Sequence, residues 1–516
     1  MNRGRRAGSG RTAPAVAVAV AAGLLLALLA AAIAAPRARA GTYTAAQCSP
    51  ALGAGHQDAS YVATGGRLRP GADCKPRGDG LSVVPAAAHT PAGAWGAWLL
   101  QPPAGTRLTG VHAIVSGHRD DGFVPELRVG GGELLGQAWG DPHAATWSGS
   151  DGSELAARLR CRRASGCAEG RAAFVALRRI RLALSDEAEP TVSLGGSLFA
   201  PGSRRGGELA IPALADAGGG VRALTVEVNG EPVASRTLSC ALSGYVAIRL
   251  RPCPAAASPS VAVDTAAAPF VQGRNRVRVC AFDYASGGGA NRACAARAVR
   301  VDNACPVSSA GGGAQLAAAI NGSESATVGS RDPASVTGRL LTASGSPVAG
   351  ARVCVAARVE LNDEIERVVA APLTAADGSF AAELPAGPSR EVRVAYWPGE
   401  EHAVERFLEL ESRAEPALRL RPRHRLRNGD RLRFIARIPA PASASREVRL
   451  EVRSDGRWQL LRAGRTGADG TWTASYRFHA TTGRRRYAFR ACVPAQDGYP
   501  YARGCSPVRR KTVIGD

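Results

Sequence analysis

The sequence predicts an all-β chain of tandem β-sandwich domains, and three observations carry that reading. At 516 residues the chain is too long for one hydrophobic core, and at roughly 100–150 residues per domain it should hold three to five. Its 61 glycines and 33 prolines are many for a helical protein but suit a chain of short strands, because each tight turn needs such residues. Short runs of alternating apolar and polar residues recur between those turns, the period-two pattern of half-buried strands.

Formal net charge is +22. Residues 1–40 carry six arginines and no acid, which leaves +16 on the remainder, enough to attract polyanions. Lys75 and Lys511 are the only lysines, so the basic excess is almost wholly arginine. With the abundance of Ala and Gly, that skew matches the codon usage of a high-GC genome. Arginines also alternate along strand-like runs such as Val448-Arg449-Leu450-Glu451-Val452-Arg453, where they read as solvated outer faces. A functional polyanion site stands beside this plainer account.

Residues 1–40 read as a secretory signal peptide. A polar start with four arginines precedes an uninterrupted apolar stretch at 13–35, and Ala38-Arg39-Ala40 supplies a small-x-small cleavage site before Gly41. The alternative is a retained N-terminal membrane anchor, since 23 apolar residues can span a bilayer. After cleavage no membrane association is expected, and the chain should be secreted, extracellular or on the cell surface. All twelve cysteines lie after residue 40, and an even count in an exported chain implies disulfides. None forms C-x-x-C and the eight histidines do not cluster with them, so no zinc site or other cofactor is expected. Proximity in sequence suggests Cys48–Cys74, Cys161–Cys167, Cys240–Cys253, Cys280–Cys294 and Cys492–Cys505, with Cys305–Cys354 left as the remainder.

Residues 41–197 form the first expected unit, a jelly-roll-like or concanavalin-like sandwich. Strand-like runs such as 110–115 and 173–177 alternate with turns such as Arg119-Asp120-Asp121-Gly122. Trp95, Trp98, Trp139 and Trp147 lie here and are the candidate ligand-binding residues. Trp95 and Trp98 are three apart, so on one strand they face opposite sides: one fills the core and the other can stack on a sugar ring. Residues 198–303 are the second unit, where Leu224-Thr225-Val226-Glu227-Val228 runs into the hairpin signal Asn229-Gly230. Its endings, Ala281-Phe282-Asp283 and Val301-Asp302-Asn303, resemble those of bacterial immunoglobulin-like repeats. Residues 304–332 read as a Gly/Ser/Ala-rich linker with a short helix at 315–320.

In the segment 333–420, Val336-Thr337-Gly338-Arg339-Leu340 is followed by Gly345 and by Pro347-Val348-Ala349-Gly350-Ala351-Arg352-Val353, then by Thr374-Ala375-Ala376-Asp377-Gly378-Ser379-Phe380. This resembles the carboxypeptidase-regulatory-like (Cna-B-type) β-sandwich, whose members serve as spacers, folding aids or binding surfaces. Many such domains carry a Lys–Asn isopeptide bond. With no lysine between Lys75 and Lys511, residues 333–420 cannot make one. Residues 421–516 echo the motif at Thr466-Gly467-Ala468-Asp469-Gly470-Thr471-Trp472 and read as a further β-sandwich.

Enzyme signatures are absent: there is no G-x-S-x-G elbow, H-E-x-x-H helix or P-loop. The densest acidic stretch, 405–411, alternates as a strand edge would, and His112, His118, Asp120 and Asp121 suit a solvated turn better than a metal site. The expectation is therefore a non-catalytic secreted or cell-surface protein serving as a structural, adhesive or binding scaffold. A carbohydrate-binding, lectin-like protein acting through the first unit is the alternative, and a glycan-active enzyme on that unit is the least favoured. Expected partners are an extracellular polysaccharide or an anionic cell-envelope polymer, with no nucleic acid and no cofactor; oligomeric state is left open.

Overall fold

The computed structural model describes residues 41–515 except 66, 87, 136–139, 169–171, 286–290, 309–312, 360, 362–364, 400–401 and 442–444. The expected signal segment and Trp139 thus lie outside the described residues. Regular structure among the described residues is β, apart from single 3-10 turns at Pro50–Leu52 and Ser197–Phe199. No helix there is long and apolar enough to cross a membrane.

Four large hydrophobic cores lie in series along the chain. The first sits between an eight-stranded and a five-stranded sheet. Its long strand Phe174–Asp186 pairs with Thr106–His118 on one side and with Gly41–Gln47 and Gly80–Pro85 on the other. Leucines and valines at alternate positions, including Leu108, Val111, Val115, Leu155 and Leu159, point into the gap between the sheets. The second core is built on Val221–Val228, Glu231–Thr237, Gly273–Asp283 and Arg292–Val301. Here Asn229 and Gly230 take the positive φ values, 53° and 94°, that a two-residue hairpin turn requires.

The third core lies between a three-stranded sheet (Gly313–Ile320, Ala334–Thr342, Ser379–Leu384) and a five-stranded one (Ser325–Gly329, Val404–Arg413, Arg390–Tyr396, Cys354–Val359, Arg367–Ala370). The fourth lies between a three-stranded and a six-stranded sheet.

Two local expectations are corrected. The segment expected as a linker with a short helix at 315–320 is a strand, Gly313–Ile320, paired antiparallel with Ala334–Thr342. Alanines favour helix locally, but Leu316 and Ile320 reach the core only with their backbone in the sheet, and tertiary burial overrides propensity. Val404–Arg413 is not an edge strand either, since it lies between Ser325–Gly329 and Arg390–Tyr396.

The twelve cysteines form six disulfides: Cys48–Cys74, Cys161–Cys167, Cys240–Cys253, Cys280–Cys294, Cys305–Cys354 and Cys492–Cys505. Cys280 faces Cys294, and Cys492 faces Cys505, directly across paired strands. Cys305–Cys354 instead ties the end of the second unit to the third.

Candidate functional site

The tryptophans of the first unit do not converge. On Trp95–Leu100, Trp98 faces inward, is 8 % exposed, and donates its indole N–H to the Ser82 carbonyl at 2.9 Å. Trp95 faces outward, as the strand alternation requires, and is half-buried with the Arg158 guanidinium 5.6 Å from its ring centre. Arg158 in turn pairs with Glu126, which is fully buried and also takes two hydrogen bonds from Arg162, at 3.2 and 2.6 Å. Burial works to raise the Glu126 carboxyl, but the two guanidinium groups outweigh it and hold the carboxyl below its ordinary value. Trp147 lies on His143–Gly152, in the opposite sheet. Trp98 and Trp147 thus face the same core from opposite sheets while Trp95 faces outward, and the three described tryptophans form no shared exposed platform.

Side chains do converge at the joints between the units. At the first joint, Ala247 of the second unit's Cys240–Cys253 loop pairs in parallel with Ala45, adding to the first unit's sheet. Tyr43 donates its hydroxyl to the Leu250 carbonyl at 2.7 Å, and Asp58 accepts from Arg249 Nε at 2.9 Å and from the Leu250 N–H at 2.6 Å. Beneath them Asp186, Asp216 and Asp283 are all buried. Asp186 accepts from the Gly219 N–H and Asp216 from the Gly220 N–H, each at 2.7 Å, while Asp283 accepts from the Ala285 N–H and from Asn291. Among the described residues none of the three has an ion pair; Arg251 acts on Asp186 and Asp216 only from a greater distance. Burial raises all three carboxyls, and for Asp283, with Asp186 and Asp216 adding repulsion, the value is pushed up to about 7.

The second joint has the opposite design. Arg393 is fully buried on Arg390–Tyr396 and contacts three carboxylates: Asp302 at 2.9 Å, Glu366 at 2.6 Å and Glu405 at 2.9 Å. Asp302 also accepts from the Trp397 indole at 2.7 Å, from Gln272 at 2.8 Å and from the Cys305 N–H at 3.0 Å. Arg300 reaches Glu366 at 2.5 Å and Glu391 at 2.7 Å, and Ser203 donates its hydroxyl to Glu405 at 2.6 Å. Arg205 lies 5.0 Å from the Trp397 ring centre. Burial opposes ionisation of Asp302, yet Arg393 outweighs it and holds the carboxyl low; Arg393 itself is held more strongly protonated by Glu366 and Asp302 in spite of its burial. At the third joint the Ser389 N–H donates to the Pro500 carbonyl at 2.8 Å, and Ala414 and Ser412 exchange backbone hydrogen bonds with Ala502.

Sequence reasoning missed the acids of the second joint. Glu405 was visible only as one member of an alternating acidic run, and Glu366 had no motif at all. The usable signal was the pair of polar endings, Asp283 and Asp302-Asn303, which stand where one unit hands over to the next. Among the described residues no cluster of His, Cys, Asp and Glu has metal-binding geometry.

No protein-family model matches the chain, and no curated protein matches it. Solved structures match in part. One is a tetra-tandem repeat in the extending region of a large adhesion protein, 14 % identical, covering 82 % of this chain and 96 % of that one with a TM-score of 0.21. Another is the native conformation of Escherichia coli alpha-2-macroglobulin, 11 % identical over 89 % of this chain and 32 % of that one, with a TM-score of 0.20. The FN1–FN3 domains of chicken CNTN1 match at 10 % identity, over 63 % of this chain and 98 % of that one, with a TM-score of 0.14. At such TM-scores these likenesses carry no argument about function.

Proposed function

We propose that the chain is a non-catalytic extracellular scaffold that holds β-sandwich units in a fixed relative arrangement. One observation carries this reading: the joint between the second and third units buries Arg393 against Asp302, Glu366 and Glu405, and Cys305–Cys354 staples it covalently. A flexible string of domains has no reason to bury charge at its hinges, because removing each ion from water costs several kcal/mol that only a closed, well-paired joint offsets. The shared strand pairing and the Tyr43 and Asp58 bonds give the first joint similar rigidity.

Within this reading the second unit is immunoglobulin-like and the third carboxypeptidase-regulatory-like. The turns of the third support that resemblance: Gly350 and Gly378 both adopt positive φ, and a Cβ on Gly378 would lie 2.5 Å from the Leu340 carbonyl oxygen. Six disulfides fit an oxidising compartment. Sugar binding through the first unit has less support, since its described tryptophans share no platform.

Small-angle scattering of the secreted chain tests the scaffold. A profile fitted by a single arrangement of the four units, unchanged with ionic strength, is the expected result. A profile that requires an ensemble of inter-unit angles would overturn it.

A further inference from the structure

Residues 421–516 carry 22 Lys and Arg against 7 Asp and Glu, net +15, whereas residues 41–420 carry 37 against 36. The excess basicity of the chain beyond residue 40 therefore belongs to its last unit. It is uneven there too. In the three-stranded sheet of Ala417–Arg421, Arg431–Arg437 and Thr471–Arg477, one face buries Leu418, Leu432, Phe434, Ala436 and Trp472. The other face presents Arg419, Arg421, Arg431, Arg433, Arg437 and Arg477, all exposed, and no acid.

The register sharpens the point. Arg421 stands directly opposite Arg433, and Arg431 directly opposite Arg477. Like charges in directly opposed positions destabilise a sheet, so this arrangement works against the fold that displays it. None of the six has an ion pair among the described residues, although Arg437 lies near enough to Asp469 to help lower its carboxyl. Solubility alone does not require such a face, because mixed charge serves as well. The six-stranded sheet of the same unit shows the alternative, pairing Arg449 with Glu447 at 2.6 Å and Arg490 with Glu451 at 2.7 Å. Beside the edge strand Ala417–Arg421, the arginine face continues into a groove of about 630 Å³ that also takes in Arg423, Arg425 and Arg510 and has no acid in its lining.

We propose that this face is a binding surface for a linear acidic polysaccharide, with the arginines on its carboxylates. Three features select that partner. Guanidinium groups bind planar oxyanions in bidentate fashion, which lysines do not. Thr471, Thr473 and Ser475 stand on the adjoining strand of the same face, Ser475 opposite Arg433, and offer hydroxyls to sugar hydroxyls. The face carries no aromatic side chain on which bases could stack, and its one large apolar side chain, Ile435, is half-buried, so neither single-stranded nucleic acid nor a lipid surface finds its usual anchors. The proposal draws on the scaffold reading only in placing the partner outside the cell.

Calorimetric titration of the full secreted chain with polygalacturonate, at about 50 and 150 mM NaCl, tests it. Wild-type protein should bind with a steep salt dependence and ignore neutral dextran. Arg421→Gln with Arg433→Gln should weaken binding about tenfold and reduce the logarithmic salt slope by roughly two. Because that variant relieves a like-charge pair, its unfolding midpoint should hold or rise, which a structural role for these arginines would not produce. Arg453→Gln with Arg457→Gln removes the same charge from the other sheet and should leave binding near the wild-type value. Absent polygalacturonate binding, an equal loss in that control variant, or tighter binding to double-stranded DNA or phosphatidylglycerol vesicles would overturn the proposal. Scattering reads the rigidity of the joints separately, so failure of the scaffold and failure of this surface are distinguishable.

Discussion

The first two joints both bury carboxylates, and they move them in opposite directions. Around Asp302, burial is outweighed by a guanidinium in direct contact, and the carboxyl is held low. Around Asp186, Asp216 and Asp283, backbone N–H groups and Asn291 satisfy every carboxylate oxygen except Asp216 Oδ1, but no cation touches them, so burial wins and the carboxyls are raised. Hydrogen bonds from neutral donors suffice to seat a buried acid, whereas keeping it ionised takes a charge at contact distance.

The sharpest break of that contrast is Arg393→Met. It leaves Asp302 and Glu405 without a cation in a dry joint, Glu366 keeping Arg300, and should cost about 3–5 kcal/mol. Denaturant unfolding followed by Trp397 fluorescence, together with cleavage by a protease near residue 303, would show it; a loss well under 1 kcal/mol would mean the joint is wetter than its geometry implies. Next in size is the staple. Replacing Cys305 and Cys354 by Ser should cost about 2–4 kcal/mol, because the bond closes a loop 49 residues long in the unfolded chain. The ion network should survive that change, so scattering should still report a single arrangement.

The smallest effect is set by pH. A carboxyl whose native pKa lies above its unfolded value stabilises the fold when protonated, and that contribution is lost as pH rises toward the native value. For Asp283 this window runs from the ordinary carboxylate range up to about 7. Asp302, Glu126 and Glu391 are held low, so their contribution is lost only as pH falls below that ordinary range. Thermal stability should therefore peak on the acid side of neutrality. Asp283→Asn should raise the midpoint at about pH 8, by roughly 1–2 kcal/mol, and change little at about pH 5. A variant less stable than wild type at both values would show that Asp283 acts through its hydrogen bonds rather than its charge.

Much of the architecture was readable before any coordinates. Period-two alternation marked strands such as Leu224–Val228 and Val448–Arg453, and Asn229-Gly230 marked a hairpin, because each pattern reports backbone geometry within a few residues. The helix expected at 315–320 failed for the complementary reason: the local helix preference of its Ala-rich stretch is overridden by burial, and Ala334–Thr342, the strand that recruits it, lies beyond any local window. The arginine face was half visible. The charge of residues 421–516 could have been counted separately, but averaging over the chain hid it, and the opposition of Arg421 to Arg433 depends on a strand register that turn lengths do not specify.

Composition and spacing were enough for strand-rich units, abundant turns and cysteines suited to local pairing, since each follows from the chemistry of neighbours along the chain. Which charges meet across a joint is settled only when distant strands pack. Arg393 and Asp302 are 91 residues apart, and Asn291 bonds to the Asp186 carbonyl across 105. Separations of that length leave no periodic trace, because the partner's identity is imposed by burial in a shared dry interface and not by the backbone that carries either residue.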